Sequence, residues 1–300
     1  MKKIVIAAGT GFLGNVLINY FKNKTQEIVI LTRGKAYTSG NIKYVNWDAK
    51  SLTGWEKELE GADVLVNFAG KSVNCRYTER NKNEILASRI DSTAVLNKAV
   101  LQCKNPPKHW LNSSTATIYN SSFYKKMDEV NGEKGFDFSM TVARTWEKVF
   151  YKTETPFTKK TVLRTSIVLG KEGGVFPVLK RLAKFGFGGQ QGNGRQFVSW
   201  IHEEDFARAI DFIIKNEIVG EVNVVSPAPV RNAEFMKLLQ KQVGVWFGIP
   251  LGKAMLAIGA AIIGTETELL LKSRNVIPKR LTENGFEFKY ASLGKALKDL

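Results

Sequence analysis

The stretch Lys3-Ile4-Val5-Ile6-Ala7-Ala8-Gly9-Thr10-Gly11-Phe12-Leu13-Gly14 decides the fold. Its first six residues form a short, mostly apolar run, and three glycines follow in the spacing G-x-G-x-x-G. Beyond them Leu17, Ile18 and Phe21 recur three and four apart, the spacing of one helix face. The glycines therefore lie between a buried strand and a helix. Gly9 is expected to make the tight turn, Gly11 to let backbone approach a pyrophosphate, and Gly14 to let the helix pack closely on the strand. The free amides and positive dipole end of the helix then face the phosphates. On this reading Gly9, Thr10, Gly11, Phe12, Leu13 and Gly14 line a dinucleotide-binding loop.

Outward from the loop, β-branched and apolar runs recur at Glu27–Leu31, Ile42–Trp47, Val64–Asn67, His109–Asn112 and Thr161–Ile167. Helical stretches lie between or after them, the longest over Glu79–Gln102. Strands alternating with helices predict an α/β chain with a doubly wound parallel sheet covered on both faces. The end of the second strand selects the cofactor. A carboxylate there would hold a ribose 2′-hydroxyl, but this chain has Leu31-Thr32-Arg33, and an arginine accommodates a 2′-phosphate. Thr32 and Arg33 therefore point to NADP(H) over NAD(H).

Composition removes several classes. Of 300 residues, 44% are hydrophobic and 24% charged, the usage of a globular chain and not of a disordered one. Two cysteines, Cys75 and Cys103, make neither a disulfide scaffold nor a zinc site, and predict reduced thiols in the cytoplasm. Two histidines, His109 and His202, are too far apart in sequence to point to a metal centre. The net charge of +16 invites a nucleic-acid reading, but the lysines are scattered and form no basic block, so a small-molecule substrate is favoured. The most apolar stretch, residues 254–264, falls short of the roughly 20 residues that span a bilayer. It reads as a buried or subunit-facing helix, and the protein as a monomer or homodimer without a membrane anchor.

Five segments together resemble the extended short-chain dehydrogenase/reductase superfamily: the Gly9–Gly14 loop, Asn67-Phe68-Ala69-Gly70, Arg89-Ile90-Asp91-Ser92-Thr93, Ser113-Ser114-Thr115-Ala116-Thr117-Ile118-Tyr119, and Trp200-Ile201-His202-Glu203-Glu204-Asp205. Glycine-rich residues 188–196 and the tail, Pro278-Lys279-Arg280-Leu281 with Gly285-Phe286-Glu287-Phe288, resemble more narrowly an atypical NAD(P)-dependent epimerase-like family of unassigned substrate. The resemblance implies a Rossmann-type domain of residues 1–170 and 196–230. It also implies a smaller, discontinuous substrate lobe of residues 171–195 and 231–300. It further implies cofactor contacts from Phe68, Ala69, Gly70, Glu84, Arg89, Ile167 and Val168.

Most members of that superfamily carry a Tyr-x-x-x-Lys pair, in which the lysine lowers the tyrosine's pKa for proton exchange with the substrate. Counting back from Glu147, those places hold Ser139 and Ala143. Tyr20 and Lys24 match the pair by spacing alone, since their helix places Lys24 roughly 15 Å from the phosphate end. Thr115 matches the substrate-binding Ser/Thr, with Tyr119, Tyr124 and His202 as further proton-relay candidates; for His202 a structural role is favoured. The expected function is an NADP(H)-binding oxidoreductase or epimerase-like protein acting on a small carbonyl, hydroxyl or sugar-type compound. The alternative is a non-catalytic NADP(H) sensor or scaffold.

Overall fold

Strand β1 (Lys3–Ala7) is apolar at every position from Ile4 onward because both its faces are covered. It pairs in parallel with β2 (Glu27–Thr32) on one side and β5 (Val64–Asn67) on the other, setting Val5 between Val29 and Leu65. This is a computed structural model, and it describes residues 1–252, 255–256, 266 and 268–300, with Leu269 and Leu270 described in backbone only. Of the apolar run 254–264, all but Met255 and Leu256 lies outside the described residues.

The remaining strands of the main sheet are β3 (Tyr37–Ser39), β4 (Ile42–Asn46), β6 (His109–Thr115), β7 (Lys159–Thr165) and, numbered in chain order, β11 (Gly220–Val224). Their spatial order is β11-β7-β6-β5-β1-β2-β4-β3, parallel throughout except for the β3–β4 hairpin at one edge. Alternate residues of the central strands face opposite cores. Ile4, Ile6, Ile28 and Ile30 pack with helices α1 (Phe12–Phe21) and α5 (Glu203–Lys215). Val5, Ala7, Val29 and Leu31 pack with α2 (Glu79–Gln102) and Phe150 of α3 (Phe138–Tyr151).

The structure departs from the sequence reading at the last strands. The sixth run does not continue through Ile167. It stops at Thr165, and Ile167–Leu169 leaves the main sheet as β8, pairing in parallel with β10 (Trp200–His202), which follows the two-residue β9 (Phe197–Val198). β11 had no clear sequence signal because Glu221 and Asn223 interrupt its valines, yet it completes the sheet beside β7. A separate apolar cluster joins Phe176 of α4 (Phe176–Leu182) with Phe235, Met236 and Leu239 of α6 (Asn232–Gln242) and with Leu293 and Leu297 near the C-terminus. Leu281 and Phe286, placed by the sequence reading in the smaller lobe, instead join the main core, and Arg280 donates to the Glu221 carbonyl of β11 (2.9 Å). Among the described residues, no helix is long and apolar enough to cross a membrane.

The turn out of β1 falls on Ala8 and not on Gly9. Ala8 takes φ +57°, while Gly9 is absent from the positive-φ positions. A left-handed conformation costs an L-residue roughly 1–2 kcal/mol, partly offset by the entropy glycine loses on folding. Ala8→Gly should therefore stabilise the protein by about 0.5–1 kcal/mol, seen as a higher urea midpoint. A lower midpoint would show that the methyl group contributes packing that outweighs the strain.

Candidate cofactor and active site

Each glycine of the loop meets a different constraint. Gly11 caps the N-terminus of α1 with φ −84° and ψ −179°, a backbone that any residue adopts, and a Cβ added there would meet nothing within 4 Å. A Cβ on Gly14 would overlap the backbone of Gly9, and one on Gly9 would press on Ile6 and Ile30. So Gly9 and Gly14 are needed for packing, while the face of Gly11 is open. The first intrahelical bond is Asn15 N–H to Gly11 O (2.9 Å), so the amides of Phe12, Leu13 and Gly14 precede it, with no acidic side chain in that turn. Gly170, Gly173 and Gly174, which follow β8, crowd the Phe12 ring so closely that a Cβ at Gly170 or Gly173 would overlap it. Thr10 is exposed and Leu13 half-buried.

At the end of β2, Thr32 is buried and its Oγ1 accepts from the Gly34 amide (3.1 Å). Arg33 is exposed and, among the described residues, has no ion-pair partner.

At the end of β5, Asn67 donates to Asn112 (2.8 Å) and Thr93 (3.3 Å), and its Oδ1 accepts from the Ala69 amide (3.0 Å). Trp146 of α3 closes this network on Thr93 (2.9 Å). The network holds the turn at Phe68, which packs on Phe206, and at Ala69 and Gly70. Arg89 lies over Gly70, where a Cβ would come 3.0 Å from the guanidinium carbon. It donates to the carbonyls of Lys71 (3.1 Å) and Ile85 (2.9 Å) and stacks 5.0 Å from the Trp146 ring. No described carboxylate pairs with it, and burial lowers its pKa to about 10. Glu84 bridges Lys71 and Arg80, and those two cations hold its carboxyl below the usual range.

Thr115, at the end of β6, accepts from the Thr117 amide (3.1 Å) and donates to the Thr117 hydroxyl (2.9 Å). Tyr119 is 1% exposed. Its hydroxyl donates to Asn223 (2.9 Å) and accepts from Arg164 (2.9 Å), which spends its hydrogen-bonding capacity inside the protein. Burial pushes the phenol up to about 12. Arg164 grips Glu147 through two bonds (2.9 and 2.8 Å), and Ser114 donates to the same carboxylate (2.8 Å). Burial alone would lower the Arg164 pKa, but the hydrogen bonds and charge of Glu147 hold it above the ordinary value. Ser139 and Ala143 lie on α3 at the places read from the sequence, and Asp137 caps that helix through the Met140 amide (2.9 Å). Ile167 is partly exposed at the break after β7, and Val168 is buried.

The other relay candidates are placed apart. His202 caps α5 through the Glu204 amide (3.1 Å) and stacks on Tyr290, with burial pushing its pKa down. Tyr124 is 84% exposed. Tyr20 donates to Asp211 of α5 (2.9 Å), so the Tyr20–Lys24 match serves helix packing. A cavity of about 520 Å³ lined by Ser121, Ser122, Lys125, Glu133, Asp137 and Lys272 includes no residue of the glycine loop. The sequence reading did not single out Asn112 and Thr93 for the site, since their roles follow from packing and no periodic signal marks them.

The geometry is that of a known family. Residues 4–225 match the NAD dependent epimerase/dehydratase family, and residues 255–300 match a domain of unknown function. An epimerase family protein of Staphylococcus aureus is 34% identical, covering 100% of this chain and 99% of the relative. The human epimerase family protein SDR39U1 (isoform 2), solved with NADPH, superposes with a TM-score of 0.88 at 29% identity, covering 99% of this chain and 98% of that one. A nucleoside-diphosphate sugar epimerase from Corynebacterium glutamicum superposes with a TM-score of 0.77 at 26% identity, covering 99% of this chain and 57% of that one. With an extended short-chain dehydrogenase/reductase architecture and a family match over more than two-thirds of its length, this chain belongs to the NAD dependent epimerase/dehydratase family.

Proposed function

We propose that the protein binds NADP(H) and uses it to reduce or oxidise a small carbonyl, hydroxyl or sugar-type substrate. The observation that carries the cofactor choice is Arg33, exposed and without an ion-pair partner among the described residues, at the end of β2 where a carboxylate would favour NAD(H). The open face at Gly11 and the free first-turn amides of α1 fit a pyrophosphate. Arg89 adds a half-buried cation beside Gly70, with no carboxylate partner among the described residues. The NADPH bound by the human relative supports the same choice. Such a cofactor supplies a hydride donor or acceptor. Phe68, Ala69, Ile167 and Val168 would shape its apolar walls, and Thr115 would turn the hydroxyl that now donates to Thr117 toward the substrate oxygen.

Tyr119 drops out as a proton relay because Asn223 and Arg164 already use its hydroxyl. Glu84 acts through Lys71, whose position next to Gly70 it restrains. Ser139 and Ala143 favour the second reading, an NADP(H)-binding sensor without chemistry.

Losing a charged hydrogen bond costs about 1.5–3 kcal/mol, roughly tenfold or more in affinity. Arg33→Ala should therefore weaken NADPH binding by that factor and spare NADH, read by nicotinamide fluorescence titration. Equal losses for both cofactors would remove the 2′-phosphate assignment. Oxidation of NADPH by a panel of carbonyl compounds separates enzyme from sensor.

A further inference from the structure

The inner faces of α4 and α6 meet through Phe176, Ala183, Phe235, Met236 and Leu239, but their neighbourhood also turns aromatic residues outward. Leu182, Phe185 and Phe187 are exposed at the end of α4 and in the turn Ala183–Phe187. Trp246, Phe247 and Ile249 are exposed in the segment that follows α6. The two segments form one surface. The Ile249 amide donates to the Gly186 carbonyl (2.8 Å), and a Cβ added at Gly186 would meet the Phe247 ring at 3.7 Å. Trp246 stands out furthest, at 98% exposure. A contiguous exposed apolar patch of this kind marks an interaction surface, whereas single exposed apolar residues do not.

The charge around this surface has one sign. No Asp or Glu occurs in residues 173–202 or 235–265, the stretches that supply it. Arg181 and Lys184 beside the first segment, and Lys237 and Lys241 on α6, are exposed and form no ion pair among the described residues. The residues outside that set include no carboxylate that could pair them. A second copy of the chain laid face to face would set these cations against their own kind. A neutral apolar partner would leave them without counter-charge. An anionic phospholipid bilayer meets both requirements: its headgroups attract Lys and Arg, and its interfacial layer favours Trp and other amphipathic aromatic side chains. A protein that lies on a membrane in this way needs no spanning helix.

We infer that this face docks the protein on an anionic phospholipid bilayer. Trp246, Phe247 and Phe185 enter the interfacial layer, and Arg181, Lys184, Lys237 and Lys241 meet the headgroups. The net charge of +16 draws the chain to the bilayer from a distance, and the aromatic patch fixes which side lands.

The test mixes the whole chain with vesicles of phosphatidylglycerol and phosphatidylcholine, or of phosphatidylcholine alone, and reads co-sedimentation and tryptophan emission. Trp47, Trp55, Trp110, Trp146 and Trp200 are buried, so the emission that acrylamide quenches belongs to Trp246 and is lost in Trp246→Phe. With phosphatidylglycerol present the protein should sediment. The Trp246 emission should then shift to the blue, escape acrylamide and be quenched by brominated lipid. Phosphatidylcholine alone should leave the protein in solution, and added salt should release it from the anionic vesicles. Arg181→Glu/Lys184→Glu removes two cations from the face and should weaken binding at least about 30-fold. Lys98→Glu/Lys152→Glu makes the same change in net charge on α2 and at the end of α3, where both lysines are exposed, and should weaken it far less. No sedimentation with anionic vesicles overturns the inference. Equal weakening by the two double variants also overturns it, because net charge and not this face would then set the binding. So does Trp246 emission that is blue and unquenchable before vesicles are added. The surface is then covered by residues 253–267 of the same chain or by a second copy, which analytical ultracentrifugation tells apart.

Discussion

Gly11→Val should give a folded protein that no longer binds cofactor. The expectation comes from the contrast between two glycines three residues apart. At Gly14 a side chain would run into the Gly9 backbone, so substitution there attacks the fold. At Gly11 the backbone is extended, and a Cβ points into open space. Valine can adopt that conformation, and its only structural penalty is a poorer helix cap, about 1 kcal/mol. Its branched side chain would, however, occupy the space into which the pyrophosphate must come. We expect no NADPH binding at roughly a hundredfold above the wild-type dissociation constant, a loss of at least about 2.7 kcal/mol. Circular dichroism should remain native. Wild-type affinity in a folded variant would mean that the phosphates do not pass over this loop.

Arg164→Met should cost the most stability of any single change considered. Arg164 is 1% exposed and Glu147 5% exposed, and they are joined by two hydrogen bonds. Removing the arginine leaves a buried carboxylate with Ser114 and the more distant Lys134 (3.9 Å) as its remaining partners, and deprives Tyr119 of a donor. Breaking a buried ion pair from one side typically costs about 3–5 kcal/mol. The double variant Arg164→Met/Glu147→Leu should recover part of that loss, because no buried charge is then left unpaired. Urea denaturation of the two variants measures the difference. If the double variant is less stable than the single one, the pair contributes through packing and not through charge.

The sequence by itself determined the strand–loop–helix at the N-terminus, the parallel sheet around it and the arginine at the end of β2. These features are local. A run such as Ile4-Val5-Ile6 must be buried on both faces, and the glycine pattern and Arg33 each lie within a few residues of the strand end they serve. The nearly continuous valines and isoleucines of the central strands therefore needed no tertiary information, whereas β11, with polar residues between its valines, did.

The tertiary structure decided which polar groups remain free. Tyr119 looked like a relay from its motif, yet Arg164 from β7 and Asn223 from β11 converge on its hydroxyl and use it internally. Tyr77 carried no signal in the chain, yet the segment after β5 brings its ring against Phe138 at the start of α3. Ala8, and not Gly9, takes the left-handed turn out of β1, which the glycine spacing did not indicate. Contacts between residues far apart in sequence depend on how the sheet orders its strands and where each connection returns. Hydrophobic period and glycine spacing describe a single segment and contain no information about what a second segment will place against it.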